Sequence, residues 1–144
     1  MKITIDKLRE LNACAIGLTL FVQRWPDGAE SADVFDALAE SKRWDWLLWL
    51  EGRAGKATDA QFASAAQARP GYALAYACKR LDDAQFAAAA QAAPGCVLEY
   101  KHACKHLNDA QFASAAQARP GYALAYKHAC ARHARMAAGL DKRS

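Results

Sequence analysis

The chain has 144 residues, with 19 Lys and Arg against 15 Asp and Glu, and it is 53% hydrophobic and 24% charged. That length gives about one domain, and that balance excludes a chain disordered throughout. No uninterrupted apolar run reaches membrane-spanning length, and an odd number of cysteines (Cys14, Cys78, Cys96, Cys104, Cys130) behind an N-terminus without an export signal predicts reduced thiols in a cytoplasmic protein.

Alanine supplies much of the apolar fraction and buries little area, so the core must come from close helix contacts around a few large side chains. Trp25, Trp44, Trp46 and Trp49 all lie in the first 50 residues. Two regions with different packing, sharing one continuous core, are expected. Residues 1–57 hold eight Lys and Arg against nine Asp and Glu, whereas residues 58–144 hold eleven against six. The positive excess thus belongs to the second region, where it suits helix C-termini or an acidic or nucleic-acid partner.

In chain order, Thr4 is placed to cap a short helix over about 5–11, and Asn12 a longer one over about 13–24. Trp25-Pro26-Asp27-Gly28 reads as a turn. Ser31 is the expected cap of a helix over 32–40, and Ser41 of a Trp-rich helix ending near Glu51-Gly52. On that helix Trp46, Trp49 and Leu50 share a face while Trp44 falls elsewhere, either in the core or as an exposed anchor or homodimer contact.

From Thr58 onward the sequence repeats. DAQF begins at Asp59, Asp83 and Asp109, and Pro-Gly follows at Pro70, Pro94 and Pro120. The three units, 58–81, 82–107 and 108–133, have a period near two short helices with their turns, the mark of a stacked array. Thr58, Asp82 and Asn108 are good N-caps, and an Ala/Gln-rich helix follows each. The proline stops that helix and starts the next. Apolar residues then recur at helical spacing, as Leu74, Ala77, Cys78, Leu81 and as Tyr100, Ala103, Cys104, Leu107. In the third unit the stripe becomes Tyr126, Ala129, Cys130 and His133, and a polar end suits a capping repeat. The first unit lacks the Lys-His pair of Lys101-His102 and Lys127-His128; a two-residue deletion rotates a helix by about 200°, so Tyr72 and Tyr76 need not face as Tyr122 and Tyr126 do. The expected architecture is all-α: a helical cap (1–56) packed on a three-repeat helix-pair solenoid within 57–138, with a tail at 139–144.

The sequence offers little for catalysis. Cys96, after Pro94-Gly95, stands near a helix N-terminus that would lower its pKa, yet the equivalent positions are Tyr72 and Tyr122 and no histidine is placed to serve it. Asp82-Asp83 is a cap plus a first-turn charge. His102 and His106 at i, i+4, with Cys104, allow a zinc reading, but Cys104 falls on the apolar stripe and no CxxC pair exists. No enzyme activity and no cofactor is expected. The recurrent tyrosines are different: Tyr72, Tyr76 and Tyr122, with Arg69, Arg119, Lys101 and Lys127, would form a ladder of residue types favoured at binding hot spots. With Trp44 they are the candidate partner-binding residues. Basic residues among aromatics could instead track a phosphate backbone.

Leu8-Arg9-Glu10-Leu11-Asn12-Ala13-Cys14, Phe21, Trp25-Pro26-Asp27-Gly28 and Asp45-Trp46-Leu47-Leu48-Trp49-Leu50 together resemble an N-terminal segment of small phage and prophage proteins. Leu81–Tyr100 resembles uncharacterised bacterial helical repeats. The resemblance implies a mobile-element protein that binds a bacterial host protein complex and inhibits it by occupancy, as anti-CRISPR proteins do, working in the host cytoplasm as a monomer or homodimer. Nucleic-acid binding by the basic repeat half is the alternative, and a zinc-binding protein the third reading.

Overall fold

A computed structural model describes residues 1–125. These residues are all-α, with eleven α-helices and one sheet of two short strands. The sheet pairs β1 (Lys2–Ile3) antiparallel with β2 (Ala29–Glu30), Lys2 opposite Glu30 and Ile3 opposite Ala29. It holds Ile3 fully buried. Gly28 turns the chain into β2 at φ +89°, where a Cβ would lie 2.8 Å from the Ile3 carbonyl oxygen, so only glycine fits.

Four helices follow in the N-terminal region: α1 (Ile5–Glu10), α2 (Ala15–Arg24), α3 (Ser31–Glu40) and α4 (Trp44–Glu51). Thr4 caps α1 as expected, its Oγ1 accepting from the Lys7 N–H. Asn12 and Ser41 do not cap the helices that follow them. Asn12, at φ 62°, ends α1: its N–H donates to the Arg9 carbonyl and that of Ala13 to the Leu8 carbonyl. Ser41 ends α3, donating its hydroxyl to the Ala37 carbonyl at 2.8 Å, while Lys42 turns through φ 55° and the Arg43 N–H reaches the Leu38 carbonyl. Both are Schellman closures, in which a left-handed residue satisfies the last carbonyls. Polar residues in a short helix–helix link can serve either neighbour, and here the preceding helix takes them. Ser31 is the first residue of α3, behind Glu30, and makes no cap bond.

Along α4, Leu47, Leu48 and Leu50 are buried and all three tryptophans are half-buried. Trp44 and Trp49 pack on the core, whereas Trp46 lies under the Arg43 guanidinium at 3.6 Å. The odd one out is therefore Trp46 and not Trp44.

The repeats form α5 (Asp59–Ala68), α6 (Pro70–Tyr76), a 3₁₀ turn (Cys78–Arg80), α7 (Asp83–Ala92), α8 (Pro94–Glu99), α9 (Lys101–Cys104), α10 (Asp109–Ala118) and α11 (Pro120–Ala125). Thr58, Asp82 and Asn108 each close a capping box: the cap side chain accepts from the backbone of Gln61, Gln85 or Gln111, whose amide oxygen accepts from the cap N–H. Pro70, Pro94 and Pro120 are each the first helical residue, behind Arg69, Ala93 and Arg119 in extended φ near −135°.

The second helices of the first two units are not continuous. α6 gives way at Ala77 to the 3₁₀ turn, and α8 stops at Tyr100, whose ψ of 114° is extended, before α9 begins. The apolar stripe is nevertheless buried in matched places: Ala77 and Cys78 in the first unit, and Ala103, Cys104 and Leu107 in the second. The two-residue difference is absorbed in the break, so no rotation by 200° follows.

First helices pack on one another (α5 on α7, α7 on α10), as do second helices (α6 on α8, α8 on α11). α4 lies against α5 and α6. The core is two clusters rather than one. Phe35, Leu47 and Leu48 gather Phe62, Ala65, Ala66, Ala73 and Ala77, while Leu74 and Cys78 go with Phe86, Val97, Leu98 and Phe112. Adjacent positions of α6 thus face opposite neighbours, and Leu81 packs against both clusters.

The seam between the regions carries a polar clasp. Glu51, with its side chain 7% exposed, accepts from the Ala57 N–H at 2.7 Å and pairs with Arg80 at 2.6 Å. Arg80 also reaches Asp59 at 3.0 Å and lies over the Phe62 ring. Gln61 donates to Asp36 at 2.7 Å, tying α5 to α3. Cys14, Cys78 and Cys96 are free thiols, but Cys104 is disulfide-bonded, so the expectation of reduced thiols fails there.

Candidate interaction face

The second helices present the tyrosines. Tyr72 and Tyr76, one turn apart on α6, are 41% and 37% exposed and stack with ring centroids 5.8 Å apart, 24° from parallel. Tyr122 on α11 is 38% exposed. Tyr100 is half-buried in the break after α8. Burial, with the nearby Glu99 carboxylate and Cys96, Tyr76 and Tyr72, pushes its phenol above the ordinary value. Tyr72, Tyr76 and Tyr100 therefore stand in one neighbourhood.

Glycines explain how adjacent units come so close. A Cβ on Gly71 would lie 2.9 Å from the Cys96 Sγ, and one on Gly95 would lie 3.4 Å from the Tyr122 ring. Cys96 and Tyr122, which follow Pro-Gly in the second and third units, thus rest on the glycine of the unit before. Cys96 is accordingly packed and not activated: burial and Glu99 raise its pKa, and Arg119 only partly opposes them. This corrects the expectation of a lowered thiol pKa, because the six-residue α8 offers a weak dipole against desolvation.

The tyrosines continue across the seam into the N-terminal region. Arg53, just past α4, is exposed, and its guanidinium lies 4.6 Å from the Trp49 centroid and 5.4 Å from that of Tyr76. Gly52 makes this junction possible, since a Cβ there would collide with the Tyr76 carbonyl oxygen. Trp49, Arg53, Tyr76 and Tyr72 form one aromatic–guanidinium run. Sequence reasoning did not include Trp49 and Arg53, although an arginine one helical turn from a tryptophan was a visible signal.

Of the residues expected to bind a partner, Arg69 and Arg119 are exposed at the α5–α6 and α10–α11 junctions, and Arg119 is near enough for its charge to act on Cys96. Lys101 opens α9. Lys127 lies outside the described residues, as do Tyr126, Cys130 and the tail. Trp44 is apart from the tyrosines, lining a shallow open groove of about 330 Å³ with Lys42, Ser64, Gln67 and Ala68. Another surface was not anticipated: Ile16 and Leu20, one turn apart on α2, are 68% and 49% exposed.

The two histidines of the zinc reading meet different partners. His102 Nε2 lies 2.8 Å from the Leu74 carbonyl oxygen, and His106, beyond the end of α9, meets the Phe86 ring edge-on. Among the described residues no three His, Cys, Asp or Glu side chains are grouped to hold a metal. No helix among them is long and apolar enough to cross a membrane. Residues 1–125 carry fourteen Lys and Arg against fourteen Asp and Glu, so the formal +4 lies wholly in residues 126–144.

A family model described as "YdhT N-terminal domain" matches residues 1–56, and the chain is similar to that family over this segment. No curated protein and no solved structure matches the chain.

Proposed function

We propose that this is a non-enzymatic protein that binds another protein through the face formed by Trp49, Arg53, Tyr72, Tyr76, Tyr100, Tyr122 and Arg119. The observation that carries the reading is the stacked, exposed Tyr72–Tyr76 pair continued by Arg53 and Trp49 across the seam. Exposed aromatics beside arginine are the usual anchors of protein interfaces, and a rigid helical array holds them at little entropic cost. The target is a protein complex of a bacterial host, inhibited by occupancy; this part of the proposal, with the mobile-element origin, rests on the sequence resemblance alone.

Nucleic-acid binding is the second reading, and the charge excess of residues 126–144 is what favours it. Affinity capture of the tagged protein from bacterial lysate, with and without nuclease, separates the two. A stoichiometric protein complex that persists after nuclease and is lost in a Tyr72→Ala/Tyr76→Ala variant supports the first reading. Loss of every partner on nuclease treatment, with steep salt dependence, replaces it by the second.

A further inference from the structure

Three arginines of the N-terminal region lie on tryptophans: Arg24 on Trp25 at 4.9 Å, Arg43 on Trp46 at 3.6 Å and Arg53 on Trp49 at 4.6 Å. Arg53 differs from the other two in having a second ring, Tyr76, supplied by the repeats. It differs from Arg43 also in charge pairing, as does Arg24. Arg9, Arg43 and Arg80 each meet a carboxylate of this chain, whereas Arg53 has no ion pair among the described residues. Its Nη1 donates only a long bond, 3.4 Å, to the Trp49 carbonyl.

A guanidinium held between two rings has lost much of its rotamer freedom before any ligand arrives. The donors on its edges remain a planar fork that matches a carboxylate. The Tyr72–Tyr76 stack beside it provides apolar area. A phosphate chain is the poorer complement, because residues 1–125 are balanced in charge and Glu99 lies near Tyr100 on the same face.

The geometry points to Arg53 as a carboxylate-recognising residue: the partner presents an Asp or Glu to its fork, and an apolar or aromatic neighbour of that acid lies on Tyr72 and Tyr76. This rests on the protein-binding reading above, whose failure the test below keeps separate. Random dodecapeptides displayed on phage are selected against the full-length protein, and the affinities of the selected peptides are measured. Expected are sequences pairing an acid with an apolar residue, which bind Arg53→Gln about tenfold or more weakly. Arg53→Lys, which keeps the charge but not the fork, should lose most of that affinity, and Arg9→Gln should stay within about twofold. An equal loss in Arg9→Gln makes the effect one of net charge and overturns the assignment. Selected peptides without acids that still need Tyr72 and Tyr76 overturn the role of Arg53 while the protein-binding reading stands. No selected peptide at all, or binding of a thymidine 20-mer in place of peptides, overturns both.

Discussion

The N-terminal region and the repeats reach helical structure by opposite means. In residues 1–56 no sequence motif recurs: Gly28 turns the chain into β2, Asn12 and Lys42 close two helices of unrelated sequence, and Phe35, Leu47 and Leu48 fill a core around single large side chains. From Thr58 onward one solution is used three times, with the same capping box, the same proline junction and a buried phenylalanine at Phe62, Phe86 and Phe112. Alanine makes the second style possible, since it lets helices approach closely but leaves little apolar area per residue. Repetition then places equivalent side chains in rows, and irregularity supplies what a row lacks. The aromatic–guanidinium run needs both, taking Tyr72 and Tyr76 from a repeated element and Trp49 and Arg53 from the unrepeated one.

The largest predicted effect tests the single-solution core. Phe35 is fully buried, and Phe35→Ala should cost about 3–5 kcal/mol in urea unfolding. A loss below about 1 kcal/mol would mean that this core is not organised around large side chains. Next is the seam. Gly52→Ala sets a methyl against the Tyr76 carbonyl and should cost about 1–3 kcal/mol through overpacking, with the N-terminal region pushed off α6. The repeated caps come third: Thr58→Ala, Asp82→Ala and Asn108→Ala should each cost about 1 kcal/mol in thermal unfolding. Three unequal losses would show that the units are alike in sequence but not in energetics.

The smallest effect is alkaline. Cys78, Cys96 and Tyr100, all in the repeats, have pKa values raised chiefly by burial. A raised acid is favoured in its protonated form by folding, so its contribution is complete below the unfolded pKa, about 8.5 for cysteine and 10 for tyrosine. It is lost as pH climbs through the higher folded values. Denaturation midpoints should therefore be steady from pH 7 to 8 and fall above about 9; a fall on acidification from these groups would contradict the sign.

How much of this was legible in sequence follows the same division. The N-caps, the proline junctions and the buried Ala77-Cys78 and Ala103-Cys104 pairs could be read because a motif seen three times averages out local ambiguity. The roles of Asn12 and Ser41 could not, because a polar residue between two helices can satisfy the carbonyls behind it or the N–H groups ahead. The breaks at Ala77 and Tyr100 were hidden because apolar spacing persists across them. Of the proposed face, Tyr72, Tyr76, Tyr122 and Arg119 were expected from their place after each first helix. Trp49 and Arg53 were not, since only the fold brings α4 beside α6.

The most direct test of the central claim is capture from nuclease-treated bacterial lysate with three proteins: the natural sequence, Tyr72→Ala/Tyr76→Ala, and Ile16→Ser/Leu20→Ser on the exposed face of α2. Retention of the same partner by the natural and α2 variants, with its loss from the tyrosine variant, is the predicted result. Retention by the tyrosine variant with loss from the α2 variant would contradict the account and move the binding surface to the N-terminal region.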